Sequence, residues 1–412
     1  MYRHRKRKSG CLGCALFFLL LLIGILAAGI YVFQSGLVKE LVDSSDASDI
    51  KNIVNAVDDI SYQEVTEEED ASVSYYYSKL SEDEQLIYKE ILSGINSDTE
   101  EIYLHGDNAD QANQILQYVL RDHPEIFWCD GSATATSYTG LRSYTVIKVN
   151  YLYDADDRST MQDQIDSVVA ECLSGISQDA SDYDKILYVY EYIIRSVEYN
   201  LDASDNQNIY SVFVGKESVC AGYSKATQYL LNKLGVFCTY VIGTAGDDNQ
   251  SHAWNLVSCN GEYYYVDTTW GDPTFLAEEG EEVAAEEKIA YDYMLCDDTE
   301  LFKNHRPDET VELPSCTHMD YNYYVVNGDY YSSFDSGVIL QKMNDVISSG
   351  GSTSVIKFSS SELYASARES IFQETIPRAA ENLANWYGIS EVKYQYLDEA
   401  DLNKITIYWQ YQ

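Results

Sequence analysis

An Asn-Gly pair at positions 260 and 261 constrains the fold of this chain more than any other feature of its sequence. It lies in the segment SHAWNLVSCNGEYYYVDTTW, and Asn-Gly between apolar runs is the strongest short signal for a two-residue β-hairpin turn. Such a turn also fixes the register, because it places Trp254 opposite Asp267 and His252 opposite Thr269. The sequence therefore predicts both a hairpin and the pairing of its strands.

His252 and Asp267 fall on one face of this hairpin as diagonal neighbours, because opposed and alternate residues share a face. Diagonal backbones lie roughly 7–8 Å apart, a gap that an imidazole and a carboxylate can close. This arrangement suits a general base and the acid that orients it. A one-residue bulge would place the two side chains on opposite faces. Taken singly, a strand histidine is usually a packed or surface residue, and an aspartate at a strand end is usually a turn or cap.

A cysteine begins a predicted helix upstream of the hairpin, in the segment SVCAGYSKATQYLLNKLG. Apolar residues recur there at helical spacing, and Gly235 is placed to end the helix. Exposed N–H groups and the helix dipole favour the thiolate of Cys220, which is the nucleophile that acyl transfer requires. A cysteine at such a position is more often structural, so its candidacy depends on the downstream His252 and Asp267.

Three segments resemble the core motifs of the bacterial transglutaminase-like superfamily, which includes peptide N-glycanases and related cysteine peptidases: SVCAGYSKATQYLLNKLGV, SHAWNLV and YYYVDTTWGDP. They occur in the family's order, and the resemblance covers roughly residues 182–305. It implies Cys220 as the nucleophile, His252 as the general base and acid, and Asp267 as the residue that orients the histidine. It also implies an α+β fold with a papain-like core, in which the nucleophile helix packs against an antiparallel sheet.

Aromatic residues near these motifs are further site candidates. The backbone N–H of Cys220 is expected to give one oxyanion donor, and Tyr199 resembles an aromatic position upstream in relatives that could supply a second. In a chain with 38 tyrosines, an ordinary packed Tyr199 is the alternative. Trp254 and Trp270 flank the histidine and the aspartate, so we expect them to wall the site and exclude water, unless they are simple core residues.

The sequence predicts no metal site and no cofactor. Cys316-x-His318, even with His305, lacks a second metal-like pair, and the acidic runs do not form the spaced loop that calcium binding requires. A glycine-rich phosphate loop, a dinucleotide fingerprint and a G-x-S-x-G elbow are also missing from the sequence.

The first 33 residues predict a membrane anchor. Residues 15–33 contain no charged side chain, a length that suits a transmembrane helix, and five basic residues precede them. The basic segment at 1–14 is therefore expected in the cytoplasm and the rest of the chain outside, in a single-pass cell-membrane protein. A cleavable signal peptide is the alternative, although the apolar run is long for one and no clear A-x-A site follows it.

The remaining chain is strongly acidic, since the formal net charge is −40 while the basic cluster lies at the N-terminus. Such a surface repels phosphate backbones, so we expect no nucleic-acid partner. The pattern predicts an acidic tether (34–72), an N-terminal α/β accessory module (73–155), a transglutaminase-like core (156–310) and a C-terminal α/β accessory module (311–412). Both flanking modules are predicted to run in the order helix, strand, helix, strand, strand.

The expected function is extracytoplasmic thiol-dependent acyl transfer on peptide or glutamine carboxamide groups, through a thioester, with protein or peptide substrates that could belong to the cell wall. Hydrolysis by a peptidase or amidase is favoured over cross-linking, because nothing in the sequence suggests a calcium-regulated cross-linker. The alternatives are a cross-linking transglutaminase and a non-catalytic surface scaffold that retains the fold. Seven cysteines follow the apolar segment, and this odd count predicts at least one free thiol or an intermolecular bond.

Overall fold

The computed structural model describes residues 61–65, 74–139, 142–272 and 289–411. The predicted cytoplasmic segment (1–14) and transmembrane helix (15–33) lie outside the described residues, as does the acidic tether apart from 61–65. Within the described ranges, no helix combines the length and the apolar character needed to cross a bilayer.

Residues 82–151 and 336–410 follow the predicted order of helix, strand, helix, strand and strand, with the second helix of the later segment divided in two. The helices are α1 (Glu82–Asn96), α2 (Ala109–Asp122), α3 (Ala155–Ser174), α4 (Asp182–Ser196), α5 (Cys220–Lys233), α6 (Asp298–Leu301), α7 (Tyr323–Val326), α8 (Ser336–Ser348), α9 (Ser361–Ser370) and α10 (Ile376–Tyr387). The strands are β1 (Ile102–His105), β2 (Cys129–Tyr138), β3 (Tyr144–Tyr151), β4 (Glu198–Tyr199), β5 (Glu217–Ser218), β6 (Cys238–Ala245), β7 (Gln250–Cys259), β8 (Glu262–Val266), β9 (Met294–Cys296), β10 (His305–Pro307), β11 (Tyr330–Tyr331), β12 (Thr353–Phe358), β13 (Lys393–Glu399) and β14 (Lys404–Gln410).

The central sheet is antiparallel and has the strand order β10-β6-β7-β8-β9. Helix α5 packs against its strands β6 and β7, and the side-chain amide of Asn255 on β7 donates to the carbonyl of Ser224 on the helix at 3.0 Å. The chain thus has a mixed α+β fold in which a helix that begins at Cys220 lies on an antiparallel sheet.

The hairpin formed by β7 and β8 has the predicted register. Asn255 pairs with Val266 and Cys259 pairs with Glu262, with no shift between these pairs. The turn residues Asn260 and Gly261 have φ angles of 51° and 89°, and two positive φ angles are what the tightest right-twisted hairpin turn requires. The bulge that would have separated His252 from Asp267 is therefore missing from this hairpin.

The two flanking modules share one topology. The N-terminal sheet has the order β1-β3-β2, and the C-terminal sheet contains the order β12-β14-β13, so the last strand lies between the first and the second in both. All of these pairs are antiparallel. The C-terminal sheet carries one more strand, β11, parallel to β12. The boundaries of the predicted domains remain predictions.

Packing joins the N-terminal module to the central region. A single apolar cluster runs from Tyr75 in the N-terminal module to Leu295 on β9, whereas the C-terminal module packs around its own cluster between Tyr331 and Trp409. A third, smaller cluster around Trp254 and Tyr293 lies beside the end of the central hairpin. The candidate site lies next to this third cluster.

Candidate active site

Cys220 is the first residue of α5, and the residue before it, Val219, provides no side-chain cap for the helix. The N-terminal amides of the helix therefore lie beside the Cys220 backbone without a competing side-chain acceptor at the N-cap. Cys220 forms no disulfide, and the residue is partly exposed. The other six cysteines that follow the apolar segment are also free but buried: Cys129, Cys172, Cys238, Cys259, Cys296 and Cys316.

His252 and Asp267 meet in a buried hydrogen bond, in which Nε2 of the imidazole lies 2.7 Å from Oδ2 of the carboxylate. His252 is 6% exposed and Asp267 is fully buried. The hairpin places Asp267 one residue beyond the last pair of the β7–β8 ladder, where its N–H donates to the carbonyl of Tyr293 at 3.0 Å. The contact predicted from the register of the hairpin is thus present.

The carboxylate of Asp267 accepts four hydrogen bonds. Its Oδ1 accepts from the N–H groups of Thr269 and Trp270 at 2.9 and 3.0 Å. Its Oδ2 faces Nε2 of His252 at 2.7 Å and Nε2 of His305 at 3.0 Å. An ionised carboxylate offers about four lone-pair sites and only accepts, so both imidazoles must carry a proton on Nε2.

Burial alone would raise the pKa of Asp267, but the charge of His252 and hydrogen bonds from His252 and His305 outweigh it and hold the pKa well below its usual range. Burial likewise favours neutral His252, yet the charge of Asp267, the hydrogen bond to it and a hydrogen bond to Cys220 raise the pKa of His252 to about 10. Because Nε2 of His252 contacts Asp267, Nδ1 is the nitrogen left to meet the sulfur of Cys220. The ring can therefore link the thiol to the carboxylate as an imidazolium.

The transglutaminase-like superfamily model matches residues 166–268, a range that includes Cys220, His252 and Asp267. The chain contains a transglutaminase-like domain. Two curated relatives are the kyphoscoliosis peptidases of Mus musculus and Homo sapiens. The mouse protein is 25% identical over 136 residues, which cover 29% of this chain and 21% of the relative. The human protein is 24% identical over 117 residues, which cover 24% of this chain and 18% of the relative.

The chain thus spans about a fifth of the length of these curated relatives. Among solved structures, one described as that of a TGase is 13% identical, with 45% of this chain and 54% of that chain covered and a TM-score of 0.25.

Tyr199 lies close to Cys220 in the transglutaminase-like domain. Its strand β4 runs parallel to β5, and Tyr199 pairs with Ser218, two residues before Cys220. Burial, together with the nearby charges of Cys220 and Asp267, raises the pKa of the Tyr199 phenol to about 12. The position fits the predicted oxyanion donor, and the role itself remains a prediction.

Trp254 and Trp270 both pack near the imidazole of His252. The Trp254 ring is fully buried and lies 5.9 Å from the His252 ring, whereas the Trp270 ring lies 6.3 Å from it in an edge contact. Both rings also approach His305, at 5.1 and 4.9 Å. The two tryptophans therefore pack where a wall of the site was expected.

The sequence indicated His305 only as part of an incomplete metal-ligand set with Cys316 and His318, and not as a partner of Asp267. In the structure His305 is fully buried on β10, at the edge of the central sheet, and contacts Asp267. His318 is instead partly exposed and pairs with Glu262 at 3.4 Å. No local pattern marks His305, since its contact depends on how β10 returns to the sheet.

His252, Asp267 and His305 have the donor types of a divalent-cation site, and their ligand atoms lie within 4.8 Å of one another. Both imidazole Nε2 atoms nevertheless lie at hydrogen-bond distance from the same carboxylate oxygen. A metal ion would have to replace both of these protons and move the ligand atoms apart. The arrangement therefore fits two imidazoles hydrogen-bonded to one carboxylate better than a metal centre.

Proposed function

We propose that this protein is a cysteine hydrolase whose transglutaminase-like domain cleaves amide bonds in proteins or peptides. The observation that carries the proposal is the contact of His252 with Cys220 on one side and with the buried Asp267 on the other. The order thiol, imidazole, carboxylate is the one that nucleophilic acyl transfer requires. The family match supports a protein or peptide substrate.

In the proposed reaction the Cys220 thiolate attacks the carbonyl carbon of a peptide bond or a glutamine carboxamide. The His252 imidazolium then donates its proton to the leaving amine or ammonia, and a thioester remains on Cys220. A water molecule next gives a proton to the neutral His252 and attacks the thioester. The products are a carboxylic acid and the regenerated thiolate–imidazolium pair. Asp267 keeps the imidazole in place and favours its charged form throughout.

The negative oxygen of the tetrahedral intermediate needs donors that are already oriented toward it. The backbone N–H of Cys220 at the start of α5 and the hydroxyl of Tyr199 are the groups we assign to this task. The helix dipole adds a favourable partial charge at the same place. This assignment is part of the proposal, and its support is the proximity of Tyr199 to Cys220.

We favour hydrolysis over cross-linking because Cys220 is a partly exposed residue, and this favours access of water to a thioester formed on it. A cross-linking enzyme has to shield its acyl-enzyme from water until an amine arrives. If cross-linking were observed, the assigned reaction would change from hydrolysis to transamidation, while Cys220 would keep its role as the nucleophile.

The test begins with alkylation of the native protein by iodoacetamide, with mass spectrometry of each cysteine. We expect Cys220 to react fast and the labelled peptide to be lost in Cys220→Ala, while the six buried thiols serve as an internal control for folding. Equal reactivity of Cys220 and the buried thiols would contradict the assignment of the nucleophile and favour a non-catalytic scaffold.

The outcome of the reaction is then read from peptides incubated in heavy-oxygen water with a fluorescent primary amine. New carboxylates that carry the heavy oxygen are the expected product, formed by the wild type and not by Cys220→Ala. Incorporation of the amine in their place would identify a cross-linking transglutaminase. A reactive Cys220 that releases neither product would remove the hydrolase proposal.

We further infer that residues 15–33 anchor the protein in the cell membrane, with the transglutaminase-like domain outside. The support is the uncharged run and the basic residues before it. The full chain with a C-terminal epitope should sediment with bacterial membranes and lose the epitope when spheroplasts are treated with protease. A variant that lacks residues 1–33 should stay soluble and protected. A shortened N-terminus in the wild type would indicate a cleaved signal peptide.

A further inference from the structure

We propose that His305 is a positioning residue of the transglutaminase-like domain, which holds the Asp267 carboxylate in the orientation that His252 needs. This inference rests on the proposed function. His305 lies outside the matched range of 166–268, on the edge strand β10. Its ring nitrogens contact Asn304 and Asp267, and its ring packs 5.4 Å from that of His252. Its Nε2 lies 3.0 Å from the same oxygen of Asp267 that His252 contacts.

The hydrogen-bond acceptor sites of the Asp267 carboxylate are all occupied. Two backbone N–H groups fill one carboxylate oxygen, and the two imidazoles fill the other. With all of its roughly four lone-pair sites occupied, the carboxylate has a fixed plane. If His305 is removed, one site is left empty in a fully buried position, where an unsatisfied acceptor is costly. The carboxylate would then rotate or shift, and the ring of His252 would follow it.

His305 itself is rigidly held. Its Nδ1 lies 2.7 Å from Oδ1 of Asn304, and the hydroxyl of Tyr293 donates to the same oxygen at 2.9 Å. The rings of Tyr293, Trp254 and Trp270 pack 5.0, 5.1 and 4.9 Å from the imidazole, which is fully buried. A side chain enclosed in this way directs its Nε2–H hydrogen bond toward one fixed position, the Asp267 carboxylate.

Strand β10 closely approaches β6. At Gly243 on β6, a Cβ atom would lie 2.1 Å from the carbonyl oxygen of Arg306 and 2.8 Å from Cα of Pro307. A glycine at this position is therefore what lets β10 lie against the sheet, and His305 is the first residue of that strand. Strand β10 can lie against β6 only because residue 243 is a glycine, and this position of β10 places His305 beside Asp267.

A residue that acts through Asp267 should change the turnover rate and the reactivity of Cys220, and it should leave substrate binding unchanged. The effect of ring packing at position 305 can be separated from the effect of the hydrogen bond that His305 donates, because two substitutions each retain one of these properties. His305→Gln retains an N–H donor for the carboxylate and gives up the aromatic ring. His305→Phe retains an aromatic ring among the tryptophans and gives up the donor.

The experiment measures the rate of Cys220 alkylation by iodoacetamide, together with kcat and KM, in the full chain. We expect His305→Phe to lower the alkylation rate and kcat by about 10–100-fold with little change in KM, and His305→Gln to stay within a few-fold of wild type. The control pair is His318→Phe and His318→Gln, because this histidine is partly exposed and does not contact Asp267. Neither control should change the rates.

The reverse ranking, with His305→Phe active and His305→Gln impaired, would show a packing role and overturn the inference. Equal losses in both variants would also overturn it, because the restored donor would have had no effect. Thermal unfolding of each variant sets a temperature at which all are folded for these comparisons. A wild type whose Cys220 is unreactive refutes the proposed function, whereas a reactive Cys220 that is insensitive to position 305 refutes this inference alone.

Discussion

At the scale of single residues, the charge of His252 depends on Asp267. The pKa of His252 stands at about 10 against the penalty of burial, because the carboxylate lies 2.7 Å from its Nε2. The imidazolium is therefore present across neutral pH and is lost as the pH rises through about 10. The proton that the proposed reaction gives to the leaving amine is in place over that whole range.

Replacing Asp267 by Asn should lower the pH at which His252 loses its proton, because burial then acts without an opposing negative charge. The imidazole of the variant is expected to titrate well below the wild-type value of about 10. Turnover should fall by about two to four orders of magnitude. NMR titration of His252 in protein labelled at histidine measures the first effect without a substrate. An unchanged titration midpoint in Asp267→Asn would contradict this account of the charge.

The sequence predicted this pair because its contact is local to one hairpin. The spacing of His252 and Asp267 around a two-residue turn determines their common face, and the observed register confirms it. The contact of His305 with Asp267 has no such local cause, since 38 residues separate the two. The contact of a buried histidine in a three-residue edge strand depends on the assembled sheet, so it cannot be predicted from the local sequence.

At the scale of elements, the predictions succeeded where capping and turn residues act on their near neighbours. Ser181 caps the start of α4 by accepting the N–H of Asp184 at 3.1 Å. Gly235 ends α5 with a φ of 77°, and the N–H of Val236 bonds back to Leu231 at 2.9 Å. The strand order of each sheet is set by packing between distant segments, so it could not be predicted from such signals.

At the scale of the whole molecule, a buried ionic cluster joins the C-terminal module to the central region. Nζ of Lys357 on β12 lies 2.8 Å from Asp292 and 2.6 Å from Glu300, and Nζ of Lys404 on β14 also contacts Asp292. Burial opposes the charge of Asp292, but the two lysines outweigh it and hold the pKa of that carboxyl well below its usual range. Asp292 directly precedes Tyr293, whose carbonyl accepts the N–H of Asp267.

Replacing Lys357 by Met should lower the free energy of unfolding by about 3–5 kcal/mol, because it removes the buried charge that Asp292 and Glu300 share. Each carboxylate then keeps one lysine, Lys404 for Asp292 and Lys303 for Glu300. Urea unfolding measures this loss. The control is Lys342→Met, which breaks the more exposed pair with Asp329 at 3.2 Å and should cost at most about 1 kcal/mol. If the cluster also fixes the backbone beside Asp267, Lys357→Met should slow Cys220 alkylation under conditions where it is fully folded. A loss of stability with an unchanged alkylation rate would show that the C-terminal module stabilises the fold without influencing the site.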